Sequence, residues 1–317
     1  EDTLTYLPLP RVDAAELTYA RFLQDFAIPR QPFILTNVGS DWMARERWCS
    51  LEYFLSHADV DTEHEVTVNV GDEECEMTVG EALSKMSTRQ QQPGTASAPL
   101  YLSAWDYVRG NSGALQRDFE VPTFFERSPE WLASHVVLGN ACTDLRWLYI
   151  GEKGSGSPTH IDTNLSSAWL WVAHGQKDWV CAHGGDHGLI TGGGLLAGYE
   201  EAHKLPDLFA PDLERFPQLA RCRLYRGIQQ AGEVCFNPSR CVHAVRNASL
   251  TISLTHNFVD GAPATSPTWS FLSAASLACS LLCPLCRTPS HVCLHSHAAA
   301  SNLADALVDA THSLRTE

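Results

Sequence analysis

Near the N-terminus apolar positions recur at helical spacing. Leu17, Phe22, Leu23 and Phe26 share one face and Asp13 can cap the run, which predicts a helix over residues 13–26. Gln31 to Val38 (QPFILTNV) then reads as a buried strand. A short helix is expected from Leu51, with Ser50 as its cap. In His64 to Val70 (HEVTVNV) apolar and polar residues alternate, the pattern of a half-buried strand. Thr78-Val79-Gly80-Glu81 is a capping box that opens another short helix. Residues 87–98 (STRQQQPGTASA) are polar and carry Pro and Gly, so they read as a loop.

From Leu100 onward strand-like runs dominate: LYL at 100–102, RWLYI at 146–150, SAWLWVA at 167–173 and DWVCA at 178–182. The last two are joined by His174-Gly175-Gln176-Lys177, which reads as a hairpin turn. Residues 183–198 are rich in glycine and read as a loop, after which RCRLY, EVCF and LTISLTHNFV are again strands. Many short strands with helices at the two ends predict a mainly β protein built on a barrel or sandwich. The tail from residue 268 reads as helical over Trp269–Leu282 and then becomes rich in cysteine and histidine.

Composition narrows the function class. The 317 residues suffice for one large core with attached helices, or two small domains. No apolar run reaches the roughly 18 residues that span a bilayer, and Glu1-Asp2-Thr3-Leu4 lacks the basic-then-apolar pattern of a signal peptide. The 11 cysteines are odd in number and follow no regular framework. Cys142, Cys181, Cys235 and Cys241 lie in apolar or strand-like runs and read as buried thiols of a reducing compartment, so an intracellular location, nuclear or cytoplasmic, is expected. The net charge of −15 argues against tight binding to nucleic-acid phosphate and is compatible with a basic protein or peptide partner.

The candidate chemistry is a metal centre. A non-haem iron site needs two histidines and a carboxylate on one face of the metal. On a strand, residues i and i+2 point the same way, so His160-Ile161-Asp162 presents an imidazole beside a carboxylate. His243 follows the strand Glu233–Phe236 and the turn Asn237-Pro238-Ser239-Arg240, where a barrel mouth would lie. The motif alone is weak, because 14 histidines give about one His-x-Asp by chance. The chain carries such a decoy at His57-Ala58-Asp59, on a helix end where i and i+2 diverge.

Two further features change the weight. Lys177 follows the aromatic strand Trp169–Trp171 and offers a cation for the far carboxylate of a metal-chelating dicarboxylate, although a lone lysine in a turn is usually solvated. In the last strand Thr251, Ser253, Thr255 and Asn257 alternate with Leu250, Ile252, Leu254, His256 and Phe258. That polar face marks either a ligand cavity or the exposed face of an edge strand. Cys283-Pro284-Leu285-Cys286 with His291, Cys293, His295 and His297 has zinc-like residue types at irregular spacing, and a loosely ordered tail outweighs zinc there. His183, Asp186 and His187 fall in the glycine-rich stretch and read as a solvated loop. Gly192-Gly193-Gly194 is no nucleotide fingerprint, and no nucleophile elbow is present.

The blocks at 146–180 (RWLYIGEKGSGSPTHIDTNLSSAWLWVAHGQKDWV) and 231–259 (AGEVCFNPSRCVHAVRNASLTISLTHNFV) resemble the two core blocks of JmjC-domain oxygenases, and PLYLSAWDY…DFEVPTFF at 99–125 resembles the segment ahead of the metal motif. The resemblance spans roughly residues 14–275 and is closest to the small JmjC hydroxylases of protein side chains. It implies a double-stranded β-helix, a cupin-like barrel with flanking N- and C-terminal helices. The implied division is an N-terminal region over 1–98, a catalytic barrel over 99–262 and a C-terminal tail over 263–317. Carried over by position, His160, Asp162 and His243 would bind Fe(II), with Mn, Co, Ni or Zn as substitutes. Lys177, Ser157 and Tyr101 would hold the far carboxylate of 2-oxoglutarate, and Thr255 and Asn257 would lie near the cosubstrate. Leu170 stands where some relatives have an asparagine aimed at the cosubstrate.

The implied activity is hydroxylation of a protein side chain, lysine or arginine favoured, with release of succinate and CO2. N-methyl lysine or arginine demethylation is the alternative within the same chemistry, and a catalytically silent cupin-like module the alternative outside it. The flanking helices, Trp269–Leu282 among them, offer either a homodimer contact or a cover for the barrel end.

Overall fold

The computed structural model describes residues 4–92, 97–122, 125, 146–162, 166–193 and 204–258. All of these except Phe258 belong to one compact unit, residues 1–127 with 146–257. The described strands are β1 (Tyr6–Pro8), β2 (Arg11–Asp13), β3 (Phe33–Thr36), β4 (Glu65–Val70), β5 (Glu73–Thr78), β6 (Leu100–Trp105), β7 (Arg146–Gly151), β8 (Gly156–His160), β9 (Ser167–His174), β10 (Gln176–Ala182), β11 (Leu224–Gln230), β12 (Val234–Asn237), β13 (His243–Asn247) and β14 (Thr251–Phe258). They form a five-stranded sheet in the order β1-β11-β10-β13-β8 and a nine-stranded sheet in the order β2-β3-β12-β9-β14-β7-β6-β4-β5. From β7 to β14 the chain passes back and forth between the sheets, as a jelly-roll barrel requires. The mainly β, cupin-like fold expected from the sequence is the fold observed.

β9 shows why the sequence builds this core. Every residue from Ser167 to Ala173 is buried, so the strand reads as an unbroken run rather than an alternation. Ala168 and Leu170 line an internal cavity. On the other face Trp171 packs 4.9 Å from Trp42 and 6.4 Å from Trp48, and Trp169 stacks on Phe125 at 5.9 Å. Trp42 and Trp48 flank the short helix α2 (Met43–Arg47), so N-terminal elements cover the outside of the barrel.

Asp118, 3% exposed, ties that cover down. Its carboxylate accepts hydrogen bonds from Arg47 Nη1 at 2.6 Å, Trp48 Nε1 at 3.0 Å and Tyr53 Oη at 2.8 Å. Tyr53 lies in helix α3 (Leu51–Ser56), and burial together with the Asp118 bond pushes its phenol up to about 12.

Several expectations change in detail. The helix expected over 13–26 begins at Thr18, whose side chain accepts from Arg21 N. α1 (Tyr19–Phe22) then widens into a π-type turn over Leu23–Ala27. Asp13 instead ends β2, in parallel register with Thr36, and its carboxylate receives Ala15 N and Asn37 Nδ2. Ser50 precedes α3 without a side-chain cap bond. The capping box is present as expected, with Thr78 and Glu81 bonded reciprocally, but α4 (Val79–Gln91) runs on through residues 87–91, which had read as loop. Residue 92 then leaves the helical region ahead of Pro93, whose ring disfavours a helical predecessor. β5 (EECEMT) has too little apolar content to announce a strand, and it forms because β4 offers it a partner.

Cys181, Cys235 and Cys241 are buried free thiols, as expected. Cys142, the Trp269–Leu282 helix and the Cys/His-rich tail lie outside the described residues. Among the described residues no helix is long and apolar enough to cross a membrane.

Candidate metal and cosubstrate site

His160 is the last residue of β8 and Asp162 follows two positions later, while His243 opens β13. The register pairs His243 directly with His160, which sets their rings 4.1 Å apart between centroids. One ligand atom from each of His160, Asp162 and His243 lies within 4.8 Å of the others, the only such group among the described residues. The decoy falls outside it: α3 ends at Ser56, and His57 Nδ1 accepts from Asp59 N at 3.2 Å.

Backbone carbonyls orient both imidazoles. His160 Nδ1 lies 2.8 Å from the Pro158 carbonyl and His243 Nδ1 lies 3.0 Å from the Cys241 carbonyl. A carbonyl only accepts, so His160 Nδ1 carries a proton, and in the neutral ring its Nε2 keeps the lone pair. Burial, and next the facing His243, push the His160 imidazole well below its ordinary range and keep it neutral. Asn237, at the end of β12, donates from Nδ2 to Asp162 Oδ2 at 2.7 Å. Its own Oδ1 is buried without a hydrogen-bond partner. Two imidazoles, one oriented carboxylate and an orphaned acceptor beside them fit a divalent cation with hydrogen-bonding ligands of its own.

Both sheets line a cavity of about 270 Å³ that contains all three of these residues. Tyr101, Ser157, Lys177, Thr255 and Asn257 line it too, so the cavity gathers the residues that the resemblance assigned to metal and cosubstrate. Thr255 Oγ1 donates to the Trp169 carbonyl at 3.1 Å and Asn257 Nδ2 donates to Ser166 Oγ at 3.0 Å. β14 is an interior strand, so its polar face is not an exposed edge, and Thr255 and Asn257 of that face line the cavity. Leu170 lines the cavity and presents an apolar wall where an amide had been the alternative.

Lys177 differs most from a solvated turn lysine. β9 and β10 are joined by Gly175 alone, at φ +82°, where a Cβ would collide with the Leu250 carbonyl. β9 and β10 lie in different sheets and do not pair, so the expected hairpin is instead a corner between sheets; it leaves Lys177 inside β10, paired with Gln229 on one side and Asn247 on the other. It is 0% exposed. Its Nζ donates to Asn247 Oδ1 at 2.9 Å and lies 5.6 Å from the centre of the Tyr101 ring. Burial pushes the ammonium down to about 7, and among the described residues no carboxylate forms an ion pair with it.

Trp179, expected from the sequence to line or back the barrel, lines the cavity; sequence reasoning missed Asn237, Trp147 and Tyr149, which line it too, and Asn247, which holds Lys177. Strand parity carried a signal for Asn247, since His243, Val245 and Asn247 alternate on one face of β13. The solvated loop expected around His183, Asp186 and His187 is instead buried. Asp186 leads into helix α5 (His187–Thr191) and accepts from Arg223 Nη2 at 2.7 Å, from Nε at 3.0 Å and from its backbone N at 2.8 Å.

Residues 19–262 match the family model described as a cupin-like domain. The chain belongs to the cupin-like domain family. The JmjC resemblance of its two core blocks agrees with the relatives it matches. It is 28% identical over 285 residues to the arginine-specific demethylase JMJ20 of Arabidopsis thaliana, covering 80% of this chain and 57% of that protein. It is 29% identical over 259 residues to the bifunctional arginine demethylase and lysyl-hydroxylase psr-1 of Caenorhabditis briggsae, covering 79% and 61%. It is 26% identical over 281 residues to the 2-oxoglutarate and iron-dependent oxygenase JMJD4 of Danio rerio, covering 78% and 59%. The cupin-like chain thus spans about three fifths of the length of these relatives.

Proposed function

We propose that this chain is the catalytic domain of an Fe(II)- and 2-oxoglutarate-dependent oxygenase that hydroxylates a protein side chain, lysine or arginine, with release of succinate and CO2. The observation that carries the reading is the pairing, in one cavity, of a two-histidine, one-carboxylate group with a buried lysine that has no counter-ion among the described residues. On β13, His243 and Asn247 are four positions apart, roughly 13 Å along a strand. Lys177, bonded to Asn247, and a five-carbon diacid together bridge that separation.

In this reading His160, Asp162 and His243 would hold the metal. Mn, Co, Ni or Zn fit the same donors. Such a metal, with 2-oxoglutarate bound, would supply oxidative decarboxylation and C–H oxidation. The protein positions and shields. Lys177 pairs with the far carboxylate, Ser157 and Tyr101 stand beside it with hydroxyl groups, and Thr255 and Asn257 face the cosubstrate. Leu170, Trp179 and Val245 wall the space between with apolar surface. The net charge of −15 suits a basic protein substrate, and a nuclear or cytoplasmic setting accompanies that choice.

Demethylation is the second reading, favoured by relatives named arginine demethylases. The same hydroxylation at an N-methyl carbon releases formaldehyde. A silent binding module is disfavoured by Lys177, because a buried unpaired cation is costly unless an anion uses it.

The test is an anaerobic Fe(II) titration with 2-oxoglutarate, followed by the visible metal-to-ligand charge-transfer band, with Asp162→Ala beside the wild type. A band lost in the variant supports the reading. No band in folded, iron-replete protein overturns it. Product mass then separates addition of one oxygen from loss of a methyl group.

A further inference from the structure

We propose that Asn247 is the positioning residue that makes the Lys177 pocket select a dicarboxylate, by holding the ammonium with a neutral acceptor and leaving its charge for the incoming carboxylate. The inference rests on the oxygenase reading above and deepens it.

Asn247 is 1% exposed and uses both ends of its amide. Oδ1 accepts from Lys177 Nζ at 2.9 Å and Nδ2 donates to Ser155 Oγ at 2.9 Å. Ser155 Oγ in turn donates to the Glu152 carbonyl at 2.6 Å. The single hydroxyl proton of Ser155 is thereby committed, so Ser155 offers Asn247 only lone pairs. This sets the amide's direction: a flipped Asn247 would point its NH2 at the ammonium and its carbonyl at the Ser155 lone pairs. The backbone holds the frame, with Asn247 N bonded to the Ser155 carbonyl at 2.7 Å and Gly154 N to the Asn247 carbonyl at 2.8 Å. Gly151 leaves room for the relay, since a Cβ there would stand 2.5 Å from Asn247 Nδ2 and 2.6 Å from Ser155 Oγ.

The acids nearest in sequence to this relay are engaged elsewhere: Asp178, next to Lys177, accepts from Arg226 Nη2 at 2.6 Å and Nε at 3.2 Å. The Glu152 carboxylate accepts from Arg89 Nη1 at 3.0 Å and Leu100 N at 2.8 Å. Lys177 is therefore oriented but not neutralised. An aspartate at position 247 has nearly the same shape and would supply an internal counter-ion, so that a far carboxylate would meet a neutral pair. Ser155 can rotate its hydroxyl to donate to that aspartate, so the substitution is sterically tolerable.

The test compares two ligands that share the chelating end. 2-Oxopentanoate carries a methyl group where 2-oxoglutarate has its far carboxylate. Binding of each to the Mn(II)-loaded full chain is measured by calorimetry for wild type, Asn247→Asp and Ser155→Ala, with thermal melting as a check of folding. Wild type is expected to prefer 2-oxoglutarate by roughly 100-fold or more. Asn247→Asp should bring the preference to within about threefold by weakening 2-oxoglutarate alone, and Ser155→Ala should lower it about tenfold by freeing the amide to flip. A merely structural role would weaken both ligands together. A folded Asn247→Asp that keeps the full preference overturns the role of Asn247 and leaves the oxygenase reading standing. If that variant does not fold, an unchanged preference in Ser155→Ala overturns it instead. A wild type that binds neither ligand removes the oxygenase reading and this inference with it.

Discussion

Asn237 Nδ2 stands 2.7 Å from Asp162 Oδ2, across two segments 75 residues apart, and takes one carboxylate oxygen out of competition for a cation. The same Nδ2 lies 3.0 and 3.3 Å from the two nitrogens of His243, so one amide is packed against two of the three candidate ligands. Outer hydrogen bonds of this kind orient a carboxylate and are worth about 10–100-fold in metal affinity. Asn237→Ala is expected to lose affinity for Co(II) by that factor while melting near the wild-type temperature. Unchanged Co(II) affinity in an absorption titration would show that Asp162 needs no such restraint.

Lys177 makes cosubstrate binding depend on pH. Burial sets its ammonium near 7, so it is charged below that value and neutral above it in the ligand-free protein. A far carboxylate needs the charged form. 2-Oxoglutarate binding should therefore weaken as pH rises from 7 to 9 and should take up a proton in that range, seen as a buffer-dependent binding enthalpy. Binding without proton uptake at pH 8 would contradict this.

The same group has the opposite effect on stability without ligand. An unfolded lysine titrates near 10.4, so between pH 7 and about 10 the unfolded chain holds more protons, and ligand-free stability rises with pH over that window. Lys177→Met removes the buried charge and should raise the melting temperature at pH 7 while abolishing the preference for a dicarboxylate. A lower melting temperature would mean that the Asn247 bond outweighs the burial cost.

Asp118 should matter for stability and not for the site. It satisfies Arg47, Trp48 Nε1 and Tyr53 Oη together, and none of these lines the cavity. Asp118→Ala is expected to cost about 2–4 kcal/mol by leaving buried donors unpaired. Chemical denaturation reads that loss, and 2-oxoglutarate affinity in the folded variant should be unchanged.

Gly175 links the turn to the site. Gly175→Ala places a Cβ on the Leu250 carbonyl at a backbone angle that side chains rarely adopt. About 1–3 kcal/mol of destabilisation is expected, with weaker 2-oxoglutarate binding because Lys177 lies two residues on. An unaffected Kd would mean that β10 holds Lys177 without help from the turn.

Local pattern was enough for much of this protein. Alternation along a strand is a property of neighbouring residues, so His160 with Asp162, and Thr255 with Asn257, were legible as pairs sharing a face. The Thr78–Glu81 capping box was legible for the same reason. The start of the 13–26 helix was misplaced and β5 went unread because partners decided them: Arg11–Asp13 pairs with Ile34–Thr36, and the polar β5 pairs with β4. The tertiary structure alone decided that Lys177 is buried, that Asn247 holds it and that Asn237 reaches Asp162. Those contacts join positions 70 and 75 residues apart. They depend on strand register, which is set by closure of the whole barrel and not by any stretch of sequence around either residue.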